Sequence, residues 1–321
     1  MNSGFEKRKV KKEKMLSWSL DKKIKHAKKR IRQFYKELDG KVYIAFSGGK
    51  DSVVLKHLVK SLYPDVPSVF SNTTNEYLEI LDFIREYHKD TIWVNPKKTF
   101  MDIMKTEGFP LVSKKVSRGI RYLKKGTTIK NKNHHNLLRT GITADGKKAP
   151  SFKIAKKWLF LENEDFNITE QCCDILKKEP LHRYQRETGR FPYQGTQMKE
   201  SGTRELNWIT FGCNIISDKT KVSRPLSIWT EDDIWEYIRL NNLPYSSIYD
   251  DVLDQDGNVI VKGEKRTGCA YCGFGANLEK GDDNRFKRLS IRKPKQFEKM
   301  MNLKNNGVTF REALKKVEVD I

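Results

Sequence analysis

The chain has 321 residues, a mass of 37.5 kDa and a mean hydropathy of −0.71, and its 63 lysines and arginines against 41 acidic residues give a net charge of +22. A chain of this length buries enough surface to hold an α/β domain without disulfide staples. No apolar run approaches the roughly 20 residues of a membrane span, which excludes a membrane protein.

Residues 1–38 read as a basic, partly helical arm. Leu20, Ile24, Ala27, Ile31 and Phe34 follow a helical period, so part of the arm is expected to dock on the body. Its first residues are basic but lack the apolar stretch of a secretory signal, which implies a cytoplasmic, reducing location. There the five cysteines more often serve metal or redox chemistry than disulfides. KVYIAF (41–46) suits a buried strand, SGGKDS a turn, and VVLKHLVKSL a helix. PSVFS (67–71) and TIWV (91–94) are further strands, with a helix over 76–88 marked by Leu78, Leu81 and Ile84. This alternation predicts a doubly wound α/β fold, a parallel sheet covered on both faces. Residues 124–150, with Gly126, Asn131, Asn133, Gly141, Gly146 and Pro150, read as a long loop in a basic insertion over about 124–157. FPYQGT (191–196) and NWITF (207–211) are strand candidates. Thr230 and Asp233 have the spacing of a capping box opening a helix with Ile234, Tyr237 and Ile238. The expected organisation is an arm (1–38), an α/β domain (39–250) and a Cys-containing helical segment (251–321).

The charge excess is local. Residues 1–36 hold fourteen basic and three acidic side chains, and 114–157 hold fourteen and one. Two basic segments on a near-neutral body point to nucleic acid as partner. The bland alternative is a solubilising bias.

Ser47-Gly48-Gly49-Lys50-Asp51-Ser52 lies between a strand and a helix. Two glycines let the backbone approach a ligand, and the helix aims its free N–H groups and positive end at an anion. Lys50 adds charge, while Ser47 and Ser52 add hydroxyls. Asp51 makes sense as a helix cap or as a ligand of Mg²⁺ carried by phosphates. The spacing is not that of Walker A. Cys172-Cys173 and Cys269-Ala270-Tyr271-Cys272 supply four sulfurs that suit a [4Fe–4S] cluster or a structural zinc, which spacing alone does not separate.

The SGGKDS loop resembles the pyrophosphate loop of the adenine nucleotide α-hydrolase-like enzymes. Gly195, Ser201 and Arg204 resemble the Gly…Ser…Arg substrate segment of the phosphoadenosine phosphosulfate reductase-like branch. Pro225-Leu226, Trp229-Thr230, Asp233-Ile234-Trp235, Leu243-Pro244-Tyr245 and Tyr249-Asp250 are similar to a further stretch of it. The resemblance implies ATP with Mg²⁺ at 47–52 and cleavage to AMP and pyrophosphate by adenylation of a substrate oxygen. It also implies a [4Fe–4S] cluster on Cys172, Cys173, Cys269 and Cys272, with Lys177 and Lys178 offsetting its charge. The reductases of this branch use a later catalytic cysteine, and no cysteine follows Cys272. Cys213, placed after an expected strand, is then the candidate sulfur-carrying nucleophile, or simply a small buried residue. Asn72, Thr73 and Glu76, after the second strand, are candidate nucleotide contacts or a polar cap. Arg204 is expected to grip phosphate or sulfate, or else to pair with Glu200 or Glu205. His134 and His135 read as surface residues or phosphate contacts rather than metal ligands.

The leading expectation is an ATP-dependent sulfur-transfer enzyme acting on nucleic acid, with a sulfur-donor protein as a possible second partner. An adenylyl-sulfate reductase is the runner-up. A non-catalytic, nucleotide-sensing nucleic-acid-binding protein is the third reading.

Overall fold

The computed structural model describes residues 3–281 and 284–321. The arm forms α1 (Ser3–Leu16) and α2 (Leu20–Glu37). Leu20, Ala27, Ile31 and Phe34 are buried on one stripe of α2, as their period requires, and Ile24 is half-buried. Lys23 is buried on the same helix because its ammonium meets the Asp233 carboxylate at 2.6 Å. A buried charge persists only with such a partner.

β1 (Val42–Phe46), α3 (Lys50–Lys60), β2 (Ser68–Ser71), α4 (Leu78–Tyr87) and β3 (Thr91–Val94) then alternate. α5 (Phe100–Thr106), β4 (Leu111–Val112), α6 (Lys114–Leu123) and α7 (Lys132–Thr140) lead to α8 (Glu179–Thr188) and β5 (Phe191–Gln194). α9 (Gly202–Phe211), β6 (Asn214–Ile216), β7 (Lys221–Ser223) and α10 (Glu231–Leu240) follow. The central sheet has the order β3-β2-β1-β5-β7-β6, parallel except for the β6–β7 pair. Val42 and Ile44 pack with α2, α3 and α10 in one apolar cluster, and Tyr43 packs with Val69 and Tyr184 on the other face. This is the doubly wound arrangement expected from the sequence.

Two local expectations fail. NWITF is the last half of α9, not a strand. Its bulky residues favour a strand locally, but Ser201 caps the helix by accepting the Arg204 N–H. Only Trp208 and Ile209 of the run are buried. The expected loop in 124–150 contains α7, which buries His135 and Leu138 and ends on Gly141 in the left-handed region (φ 75°). The capping box of Thr230 and Asp233 is present at α10.

The C-terminal part holds the hairpin β8 (Val252–Leu253) and β9 (Val259–Val261), then β10 (Gly273–Phe274), which pairs with β4. α11 (Arg285–Arg292), α12 (Pro294–Met301), the hairpin β11 (Lys304–Asn305) and β12 (Val308–Thr309), and α13 (Phe310–Lys316) complete it. Its helices share a core with α4, α5 and α6. Among the described residues no helix is long and apolar enough to cross a membrane.

Candidate active site

The chain runs outward from β1 to β3 and returns to β5 on the other side of β1. A crevice opens at such a reversal, outside the carboxyl ends of the strands, and ligands bind there. The SGGKDS loop leaves β1 at this point. Gly48 has φ 72°, and a Cβ there would lie 2.8 Å from Ile80 Cγ2. A Cβ on Gly195, after β5, would lie 2.9 Å from the Asp51 carbonyl oxygen. Both glycines are therefore required by close approach. The Ser52 hydroxyl donates to the Gly49 carbonyl at 2.8 Å and accepts the Ser47 N–H at 3.2 Å, which closes the turn.

Lys50 makes contacts the sequence did not show, and Asp51 does not take the helix-cap role, one of the two expected of it. The Lys50 ammonium donates to the Lys265 carbonyl at 2.9 Å and lies 3.4 Å from Glu231 Oε1, so it faces the C-terminal segment. The Lys50 N–H is taken by the Tyr249 hydroxyl at 3.0 Å, which also bonds Thr267 Oγ1 at 3.0 Å. Gly49, not Asp51, is the N-cap of α3. The Asp51 carboxylate accepts from Gln197 Nε2 at 2.7 Å. Burial raises its pKa against the opposing pull of Lys50 and Gln197. A carboxylate held short of full solvation beside a phosphate loop remains suited to Mg²⁺.

A cleft of about 590 Å³ extends from Ser47 and Ser52, over Tyr43 and Ala45, beneath α8. Arg204, Arg224, Gln197, Lys114, Cys173 and Lys177 line it. Arg204 forms an ion pair with Glu200 at its rim. Thr73 and Glu76 bond within their own turn, and Asn72 reaches across to the end of β3. Glu76 accepts from the Thr73 hydroxyl and N–H, and Asn72 bonds Asn95. This is the polar cap, not an open nucleotide contact.

The four cysteines, about a hundred positions apart in two pairs, line one cavity with Asn75, Phe100, Pro110, Leu176 and Lys177. Three local devices bring them there. Pro180 has no N–H for the Leu176 carbonyl, so Asp174–Lys178 forms a π-helical turn and the Ser71 hydroxyl satisfies that carbonyl at 2.8 Å. Asn75 holds the second pair, its carbonyl accepting the Ala270 N–H at 2.7 Å and its Oδ1 the Tyr271 N–H at 3.1 Å. Gly273 pairs with Leu111, and a Cβ on it would strike the Pro110 carbonyl at 2.4 Å.

The Cys172 thiol bonds Cys173, which with Lys114 lowers the Cys173 pKa; the same bond and burial raise that of Cys172. The Cys269 sulfur, foremost, raises Lys177 to about 12. Asn75 Nδ2 is buried with no partner. Four sulfurs, an apolar floor, two lysines and one idle N–H donor fit a thiolate-held metal or cluster. Among the described residues no group of three or more His, Cys, Asp or Glu side chains is already arranged to hold a metal ion. The sulfurs thus share a cavity rather than a finished cage.

Cys213 stands apart. It follows α9 rather than a strand, and it is buried in the cluster with Trp208 and Leu226. Burial pushes its thiol pKa up. His135 is buried against Thr127 (2.9 Å) and His134 lies edge-on to Tyr122, away from the cysteines. Sequence reasoning assigned no role to Lys114, Gln197, Tyr249 or Thr267. Tyr249 stood in a family-like stretch, but nothing local marked the others.

A doubly wound sheet with a glycine loop at its reversal point defines the class of α/β protein that binds its ligand outside the carboxyl ends of the strands. The phosphoadenosine phosphosulfate reductase domain matches residues 41–145 and 151–272, and the chain belongs to that family. It is 24% identical over 280 residues to an uncharacterised protein of Methanocaldococcus jannaschii, covering 85% of this chain and 50% of that one. The chain therefore spans about half the length of that relative. It is 23% identical over 272 residues to sulfate adenylyltransferase subunit 2 of Halorhodospira halophila (82% and 75% covered). It is 22% identical over 260 residues to adenosine 5'-phosphosulfate reductase of Lysinibacillus sphaericus (80% and 84% covered).

Proposed function

We propose that the chain is an ATP-dependent sulfur-transfer enzyme whose acceptor is nucleic acid. ATP with Mg²⁺ occupies the cleft, its phosphates against the loop of residues 47–52 and its metal near Asp51. An acceptor oxygen attacks the α-phosphorus, the P–O bond to the β-phosphate breaks, and pyrophosphate leaves. Sulfide then attacks the acceptor carbon, forming C–S as C–O breaks, and AMP leaves with the oxygen. Loop amides and Arg204 stabilise charge on the phosphates, which is where such catalysis gains most. Cys172, Cys173, Cys269 and Cys272 would hold a [4Fe–4S] cluster or a zinc ion. When bound, a cluster supplies iron and sulfide chemistry beside the cleft, whereas zinc supplies a structural tie.

The observation that supports this reading most is that phosphate loop and cysteines border one cleft: Ser47 and Ser52 line it together with Cys173. The test is pyrophosphate release from ATP, with and without DNA or RNA. Release that nucleic acid stimulates is the expected result. Sulfite release from an adenylyl sulfate with thiol reductant would replace this reading by the reductase, and no turnover of either would leave a nucleotide sensor.

A further inference from the structure

The nucleotide cleft is not the only opening onto the cysteines. A second cleft of about 840 Å³ is lined by Cys173, Cys269 and Cys272 on one side and by Lys262, Lys265 and Arg266 on another. It shares Lys114, Cys173 and Lys177 with the nucleotide cleft. Outward, it shares Lys262 and Arg288 with a third concavity of about 650 Å³ between β9 and α11. The three form one path from the β8–β9 hairpin, past the cysteines, to the nucleotide cleft.

The path is positive where it matters. Of its middle acids, Glu264 is held by Arg288 at 2.7 Å, Glu279 by Arg285, and Asp251 accepts the Gly263 N–H at 2.7 Å. Among the described residues no carboxylate forms a salt bridge with Lys114, Lys262, Lys265 or Arg266, and all four are exposed. The outer end adds Lys280, whereas Lys287 there is paired with Asp320 at 2.5 Å. It also has apolar faces, Val259, Ile260 and Ile291 being about half exposed.

Resting on the functional reading above, we infer that this path is the acceptor track, and that it takes a single-stranded nucleic-acid segment. A lone phosphate or small oxyanion needs no cationic run of this length. A cationic groove that follows a backbone, with apolar faces for bases, is how single strands are held. A duplex is too stiff to enter a concave path, and enzymes that act on a base take it out of the stack. The track ends where Cys173 borders both clefts, so an acceptor atom arriving along it reaches the nucleotide cleft beside that cysteine. Apart from Lys114 and Lys177, the cations come from residues 262–288, outside the two basic segments that dominate the charge count.

The test uses the full chain and fluorescent single-stranded DNA and RNA of about 12 nucleotides, within the site size of such grooves. Lys262→Glu/Lys280→Glu alters exposed side chains outside the nucleotide cleft, and Lys25→Glu/Lys29→Glu makes the same change of charge on α2. The groove variant is expected to bind the oligonucleotide at least about tenfold more weakly at low salt. Its log–log salt slope should be shallower by about 1.4, two single-strand phosphates' worth. ATP affinity should not change. If the groove variant binds like the parent while the α2 variant loses binding, the strand lies on the arm and the track is wrong, though the functional reading stands. If the groove variant keeps the oligonucleotide but loses a polyglutamate peptide, the groove serves an acidic protein instead. If the parent chain binds no oligonucleotide at low salt, the nucleic-acid reading itself fails.

Discussion

Gly49 and Asp51 carry opposite obligations. A Cβ on Gly49 would lie 2.6 Å from Thr267 Oγ1, so Gly49→Val pushes residue 267 off the loop. ATP affinity measured by titration calorimetry should fall at least tenfold, about 1.4 kcal/mol. Asp51 is the reverse case, a group that costs the empty protein stability. Its folded pKa lies above the ordinary carboxylate value because of burial. The folded state then binds the proton more tightly than the unfolded chain, so stability declines as pH rises from the ordinary value through the raised one. Asp51→Asn removes that penalty. Thermal melts at pH 7 should show a higher Tm than the parent, the gain shrinking on acidification, while Mg²⁺-dependent ATP binding falls. An unchanged Tm would mean that the carboxylate is solvated. The hexapeptide marked this loop in the sequence, but not Gln197 or Tyr249, because hydrogen-bond partners 146 and 199 positions away leave no local trace.

Residues 264–272 form the element that joins the two halves of the site. They touch the loop through Lys265 and Thr267 and reach the cysteine cavity at Cys269. Thiolate–metal bonding couples to folding. Each of Cys172→Ser, Cys173→Ser, Cys269→Ser and Cys272→Ser should therefore bleach the anaerobically purified protein and lower its Tm. Cys213→Ser should leave the colour. Stoichiometric zinc without iron would move the site to a structural role. Colour that survives Cys172→Ser but not Cys213→Ser would identify a different ligand set. At this scale periodic elements were legible: α2 by its stripe, β1 by its apolar run, α10 by its box. α9 was not, because Asn207, Trp208, Ile209, Thr210 and Phe211 suit a strand as well as a helix until Ser201 caps the turn and burial selects Trp208 and Ile209.

For the whole molecule the test is salt. Residues 1–36 and 114–157 hold most of the excess charge, and phosphate contacts release counterions. Nucleic-acid binding should weaken steeply between about 50 and 200 mM salt, and reversing four lysines in either segment should flatten the slope. No binding at about 50 mM salt, where such contacts are strongest, would reduce these segments to a solubility device.

By itself the sequence determined the alternating elements, the loop between β1 and α3, and which four cysteines could act together. These are local matters: a turn needs its glycines within a few residues, and a strand or helix shows its period along the chain. Only the tertiary structure decided that Lys50 faces the C-terminal segment and that Cys213 is core. It alone placed Lys114 and Lys177 where two clefts meet the cysteines. Those outcomes depend on which distant groups compete for the same hydrogen bond or the same apolar contact, and that competition exists only once the sheet has closed.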